Sequence, residues 1–245
     1  DRMATSGSYN WSVTRNDLIE QAFRKIGALG DHEAVTVDSN KLNVGIAAIN
    51  PVLRSLAAKG MPLWAMVKLT VPFSHFTSTT PVTFGPSMTM ATSYRVLKVV
   101  HAVRTDTQPT LDLDIPMTIL PYTEYESLSV KGQTGTPLHV YHNPGNYTGT
   151  LNVWPLPDAN QITYGEMHLW VHREYQDFDA STDEPDFPKE YTEAFIYALA
   201  YHLAPNYGLP PSDRGALKAD RDALIKEIEG FGVEEGSFKI QPRMY

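Results

Sequence analysis

The spacing of apolar residues changes twice along this chain, and that change limits what it can fold into. Helical spacing governs the first quarter and returns near residue 187. Between them the period shortens towards two, and turn residues interrupt it every few positions. A helix buries its apolar stripe only against a partner. The terminal segments can serve one another only if the chain leaves a helical bundle, builds a β module and comes back. The expected fold class is therefore α+β: a four-helix bundle from both chain ends, an inserted antiparallel β module and an extended C-terminal arm.

Residues 1–13 read as an arm whose large apolar groups are Tyr9 and Trp11. Thr14 followed by Asp17 forms a capping-box pattern with Asp in place of the usual Glu. Leu18, Ile19, Ala22, Phe23 and Ile26 then make one stripe, ended by Gly27 and Gly30. A second helix is predicted from about Asp38 to Lys59, with Ile46, Ile49, Leu53 and Leu56 on its buried face. Pro51 predicts a kink, or a fresh start capped by Asn50. Pro188 opens a third helix with Tyr191, Ala194, Phe195, Ala198, Leu199 and Leu203 on a wide apolar face, stopped at Pro205. Ser212 caps a fourth, whose stripe is Ala216, Leu217, Leu224, Ile225 and Ile228; Gly230 closes it.

In the middle, residues 63–71 begin a run of short strands, of which the best are predicted at 94–103, 138–142, 150–154 and 163–171. Turns such as Asn143-Pro144-Gly145-Asn146 and Pro157-Asp158-Ala159-Asn160 separate them. On the last strand Tyr164, Glu166, His168, Trp170 and His172 are expected on one face. The boundaries that follow are 1–62 for the N-terminal arm and first half of the bundle, 63–184 for the β module, 185–230 for the second half, and 231–245 for the C-terminal arm. In that arm Phe231, Val233, Phe238, Ile240 and Met244 stand apart in a charged, Gly-interrupted background. Such a segment does not recover its ordering entropy alone. It orders either on another subunit or as an end packed on its own domain.

Composition removes several function classes. The 245 residues include no Cys, which excludes disulfides, thiolate nucleophiles and Cys-ligated zinc. The formal net charge of −8 is the wrong sign for gripping a nucleic acid backbone. An acidic wall instead lets DNA pass without sticking; the same charge also serves plain solubility. No window reaches the roughly 18 apolar residues of a membrane span, so no membrane partner is expected. Neither a phosphate-cradling Gly loop nor Gly-x-Ser-x-Gly occurs.

Glu166, His168 and His172 would share a strand face, but strand positions four apart lie about 13 Å from each other, too far for two His to hold one ion. His139 and His142 fall on opposite faces. A glycosidase needs two acids roughly 5–9 Å apart, one with a raised pKa. Glu124 with Glu126, and Asp183, Glu184 and Asp186, are close in sequence, which says nothing of a cleft; Asp112 and Asp114 read as the outer face of a strand. Trp154, Trp170, Tyr141, Tyr147 and Tyr164 offer a carbohydrate platform, although strand aromatics more often fill cores or interfaces. No catalytic residue, cofactor or metal is expected.

The helical ends carry a resemblance. Phe187-Pro188-Lys189-Glu190-Tyr191 leads into Ala194-Phe195-Ile196-Tyr197-Ala198-Leu199-Ala200, then Leu203-Ala204-Pro205-Asn206-Tyr207-Gly208, a charged last helix, and Glu234-Glu235-Gly236-Ser237. Arg15-Asn16-Asp17-Leu18-Ile19 with Ala22-Phe23-Arg24-Lys25-Ile26-Gly27, and Ala58-Lys59-Gly60 before Leu63-Trp64, fit the same pattern. Over roughly residues 14–64 and 185–245 the chain resembles the head-to-tail adaptor family of short-tailed bacteriophages, also described as packaged-DNA stabilisation or head-completion proteins. The resemblance implies a connector in the virion at the head–tail junction, made in the host cytoplasm. It implies a self-assembled ring, commonly a dodecamer, between the portal protein ring and a tail nozzle or tail tube protein. Packaged DNA would pass through without specific binding until genome ejection. It also implies that Phe231, Val233, Glu234, Glu235, Phe238, Ile240 and Met244 form a portal-interaction arm. The compact members have only a short connection where this chain has its β module. The alternatives are a carbohydrate- or receptor-binding tail module and, less favoured, a peptidoglycan hydrolase.

Overall fold

A computed structural model describes residues 11–30, 32–57, 65–85, 89–108, 111–146 and 148–231. The α-helices are α1 (Arg15–Lys25), α2 (Ser39–Ala57), α3 (Tyr122–Glu126), α4 (Ala159–Tyr164), α5 (Thr192–Leu203) and α6 (Pro211–Phe231). Among the described residues the architecture is mixed α+β, with six α-helices and three small sheets. The chain divides into two compact units, one of Asp1–Leu63 with Asp177–Tyr245 and one of Trp64–Gln176.

In the first unit α5 packs against α1, α2 and α6, and α1 also meets α2. The reason is in its sequence. Ala194, Phe195, Ile196, Ala198, Leu199, Ala200 and Leu203 are all buried, so apolar surface extends beyond a single stripe. A helix of that kind belongs in the middle of its neighbours. At the start of α1 the capping box forms: Asp17 N–H donates to Thr14 Oγ1 at 3.3 Å, and Thr14 N–H donates to Asp17 Oδ2 at 3.0 Å. Leu18, Ile19, Ala22 and Phe23 are buried along α1. Phe23 meets Tyr207 edge-on at 5.2 Å. Helix α2 approaches α1 closely at Gly45, where an added Cβ would lie 2.3 Å from Ile19 Cγ2.

Three local expectations are corrected. Helix α2 runs through Pro51 without a break, so no fresh start occurs there. Burial of Ala48, Ile49, Val52 and Leu53 around Pro51 offsets the missing backbone donor. Asn50 is engaged elsewhere: its Oδ1 accepts from Phe178 N–H at 2.9 Å and its amide donates to Phe178 O at 3.3 Å. Helix α6 opens at Pro211 rather than at a Ser212 cap, and it continues past Gly230 to Phe231. Pro suits a first helical turn, and one Gly costs a helix only about 1 kcal/mol. On the expected stripe of α6, Leu217 is buried, Leu224 and Ile225 are half-buried and Ala216 is exposed.

Residues 177–184, placed with the β module by sequence, are held to the helices instead. Arg54 pairs with Asp177 at 2.7 Å. The Arg15 guanidinium donates to Asp179 O and its backbone N–H to Asp183 O, each at 2.8 Å. Phe178 packs on Phe195, with ring centres 6.1 Å apart.

The second unit contains β1 (Met66–Pro72), β2 (Val82–Gly85), β3 (Met90–Ala91), β4 (Val96–Gln108), β5 (Leu111–Pro116), β6 (Thr118–Ile119), β7 (Thr134–Gly135), β8 (His139–Asn143), β9 (Gly149–Trp154), β10 (Leu156–Pro157) and β11 (Gly165–Arg173). One sheet has the order β1-β11-β4-β5, a second β3-β2-β9-β8-β6, and β10 pairs with β7. The inner faces of the two larger sheets share a core. Val71, Val99, Met167, Leu169 and Val171 come from one, and Val82, Phe84, Val140, Leu151 and Val153 from the other. This is the economy of packed sheets, each with one buried and one outward face. Phe73 and Phe76, in the turn after β1, join that core.

The module is antiparallel only in part. The four-stranded sheet is wholly so, but β2–β3, β6–β8 and β10–β7 pair in parallel. For β6 and β8 the reason is the long connection carrying α3, which gives the chain room to cross over. The expected strand over 163–171 begins only at Gly165. Asp158 accepts from Gln161 N–H at 2.9 Å and caps α4, so Tyr164 ends a helix and does not share a strand face with Glu166. Between Trp170 and Val171 the register with β4 slips by one: His101 faces Trp170, Val99 faces Val171, and Val100 bulges between them.

Candidate functional site

The residues of chemical interest fall on two outward sheet faces, one inward strand position, two short helices and one loop. On the four-stranded sheet, β11 carries Glu166, His168, Trp170 and His172 on its outward side, opposite Pro72, Thr70, Lys68 and Met66 of β1. His168 is already engaged at both ring nitrogens, with Thr70 Oγ1 at 3.1 Å and Glu166 Oε1 at 3.2 Å. Trp170 lies between Lys68, whose ammonium stands 5.3 Å from its ring centre, and His101, whose ring centre is 5.2 Å away. Burial and the neighbouring Lys98 push His172 below its ordinary pKa. Among the described residues no three His, Asp or Glu side chains converge as a metal site.

The carboxylates considered for acid–base work lie on exposed surfaces or are held by local partners. Glu126 pairs with Lys131 at the end of α3, and Glu124 is exposed on the same helix. Asp183 accepts the N–H groups of Ala180 and Asp179 at 2.6 and 2.7 Å. These donors hold it below the usual carboxylate range. Glu184 is exposed and Asp186 half-buried on the same loop. Asp114 accepts from Thr105 Oγ1 at 2.5 Å across the β4–β5 pair, which leaves it a strand-surface residue. His139 and His142 do lie on opposite faces. His142 points inward against Phe84, with ring centres 6.3 Å apart. Burial, reinforced by Arg95, lowers its pKa to about 4.

The five-stranded sheet brings together the fuller constellation. Along β8 and β9, His139 faces Trp154 and Tyr141 faces Asn152. Their intervening neighbours Val140, Leu151 and Val153 are buried, so His139, Tyr141, Asn152 and Trp154 are on the outward side. Helix α3 adds two rings that sequence reasoning missed. Tyr125 stacks on Tyr141 at 4.6 Å with planes 14° apart, and Tyr122 stands 6.3 Å from the same ring. Of the five aromatic residues weighed from sequence, Trp154 and Tyr141 share this face. Trp170 belongs to the other sheet, Tyr164 to α4, and Tyr147 lies outside the described residues.

No family model matches the chain, and no curated protein does. Among the described residues no helix is long and apolar enough to cross a membrane. Of the portal-interaction arm, Phe231 ends α6, while Val233, Glu234, Glu235, Phe238, Ile240 and Met244 lie outside the described residues.

Proposed function

We propose that this chain is a structural virion protein, a ring-forming head-to-tail adaptor that joins the portal ring to the tail of a short-tailed bacteriophage. In this reading α1, α2, α5 and α6 are the four-helix bundle of each subunit, and the β unit is an insertion between its halves. The ring extends the DNA channel and helps retain the packaged genome. The work is done by surfaces and geometry, so no residue is assigned to catalysis.

The observation that carries the reading is the way the two chain ends share one compact unit while the chain between them forms another. That arrangement accompanies the sequence resemblance over the same helices. Helix α6 supports it further. Ala216 of its apolar stripe is exposed and Leu224 and Ile225 are only half-buried, as suits a helix with a second neighbour in an assembly. Contacts of one surface with a different surface on the next copy close into a ring when the rotation allows. The net charge of −8 suits a channel that DNA must traverse without specific binding. Residues 232–245, beyond the end of α6, then form the arm towards the portal, with Phe238 and Ile240 as its apolar anchors.

Deleting residues 232–245 tests the arm. The truncated chain keeps its helical and β signals but no longer binds portal rings. Binding as tight as that of the whole chain would remove the arm from the account.

A further inference from the structure

The outward side of the five-stranded sheet joins aromatic rings to uncharged polar groups, and the rings are fixed before any ligand arrives. Tyr125 covers one face of Tyr141. The Trp154 indole N–H donates to Val130 O at 3.0 Å, and the His139 ring lies 5.5 Å from Trp154. Tyr122 stays 64% exposed, although it borders this cluster. Asn152, opposite Tyr141, supplies an amide, and Thr150, two positions back along β9, a hydroxyl; both are half-buried. The formal charges beside them, Glu126 and Lys131, neutralise each other, and the Lys131 ammonium also sits 4.9 Å from the Tyr125 ring centre.

A surface of this character selects a ligand of the same character. A pyranose has an apolar C–H face that lies on an aromatic ring, and hydroxyls that exchange hydrogen bonds with amide and hydroxyl side chains. Nucleic acid would look for Lys and Arg along its phosphates, and here Lys131 is matched by Glu126. A protein partner would look for deep apolar anchor pockets, whereas this face is a strand surface studded with Asn and Thr. We propose that Tyr122, Tyr141, Trp154 and Asn152 form a binding face for a neutral oligosaccharide. The Tyr and Trp rings stack on sugar, Asn152 and Thr150 bond its hydroxyls, and Tyr125 and His139 hold the stacking rings in place. The face does not depend on ring assembly, so the two readings stand or fall separately.

The test uses the full chain, titrated with chitotetraose, cellotetraose and maltotetraose, read by saturation-transfer NMR and by tryptophan fluorescence. At least one of these sugars binds saturably, with a dissociation constant of about 1 mM or tighter. Tyr122→Ala and Asn152→Ala each weaken it about tenfold, with far-ultraviolet circular dichroism unchanged. Lys68→Ala, on the other large sheet, leaves binding as it was. No saturable signal for any of the three up to about 10 mM, or binding that survives both substitutions, overturns the proposal. A change of mass in solution on Tyr122→Ala also overturns it, because the face is then a contact between copies.

Discussion

Replacing Gly45 by Ala sets two energies of similar size against each other, and the structure decides which wins. In a helix interior Ala is favoured over Gly by about 1 kcal/mol. The new Cβ, however, would stand 2.3 Å from Ile19 Cγ2, with Ile19 Cγ1 and Cδ1 at 3.2 and 3.3 Å. Carbon atoms prefer about 3.5–4.0 Å. Ile19 is fully buried and β-branched, so it cannot swing aside cheaply. Overpacking of this kind costs roughly 1–3 kcal/mol, and so deep an overlap puts it at the upper end. The expected net effect is a loss of about 1–2 kcal/mol. Urea unfolding followed by the far-ultraviolet helix signal measures it. Ile19→Ala alone costs roughly 2–5 kcal/mol by leaving a cavity. In that background Gly45→Ala no longer clashes, and it becomes neutral or stabilising by up to about 1 kcal/mol. The two changes are therefore coupled by about 2 kcal/mol. Stabilisation by Gly45→Ala in the native background, or additivity of the pair, would refute the close α1–α2 contact.

Other outcomes follow from the same geometry. His142 is neutral inside the β unit, its pKa lowered from 6.5 to about 4, so the unfolded chain takes up the proton first as pH falls. Stability of that unit should drop between pH 6.5 and about 4, by up to about 3 kcal/mol in all, and His142→Leu should flatten the slope in chemical unfolding at stepped pH. Asp38 and Asp183, both held below the usual carboxylate range, lose their contributions only under more acid conditions. Asn50→Ala leaves both backbone groups of Phe178 without their side-chain partner and should cost about 1–3 kcal/mol, read by thermal unfolding. Asn50→Asp restores the acceptor but not the donor and should recover part of that loss.

What could be read from sequence was what local chemistry alone determines. Thr14 with Asp17 announced the start of α1, and Leu18 to Ile26 its buried side, because cap and stripe both lie within a few turns. The breadth of apolar residues from Ala194 to Leu203 likewise marked α5. Helices α3 and α4 escaped because five or six residues cannot display a helical period, and Asp158 looked like a turn residue until its bond to Gln161 N–H made it a cap. Tyr122 and Tyr125 were missed for the same reason. Trp154 and Tyr141 were visible as strand aromatics, but their common face depends on the pairing of His139 with Trp154 and of Tyr141 with Asn152. The register of that hairpin is set by the turn that closes it and is not written in either strand alone. The attachment of residues 177–184 to the helices rests on Arg15, Asn50 and Arg54, partners more than a hundred positions away.

The adaptor reading is tested most directly by mixing the full chain with the portal ring of its own phage and imaging the product by electron microscopy. The account predicts closed, symmetric rings of this chain stacked on one end of the portal. A chain that stays monomeric beside bare portal rings, at concentrations where both are abundant, would contradict it.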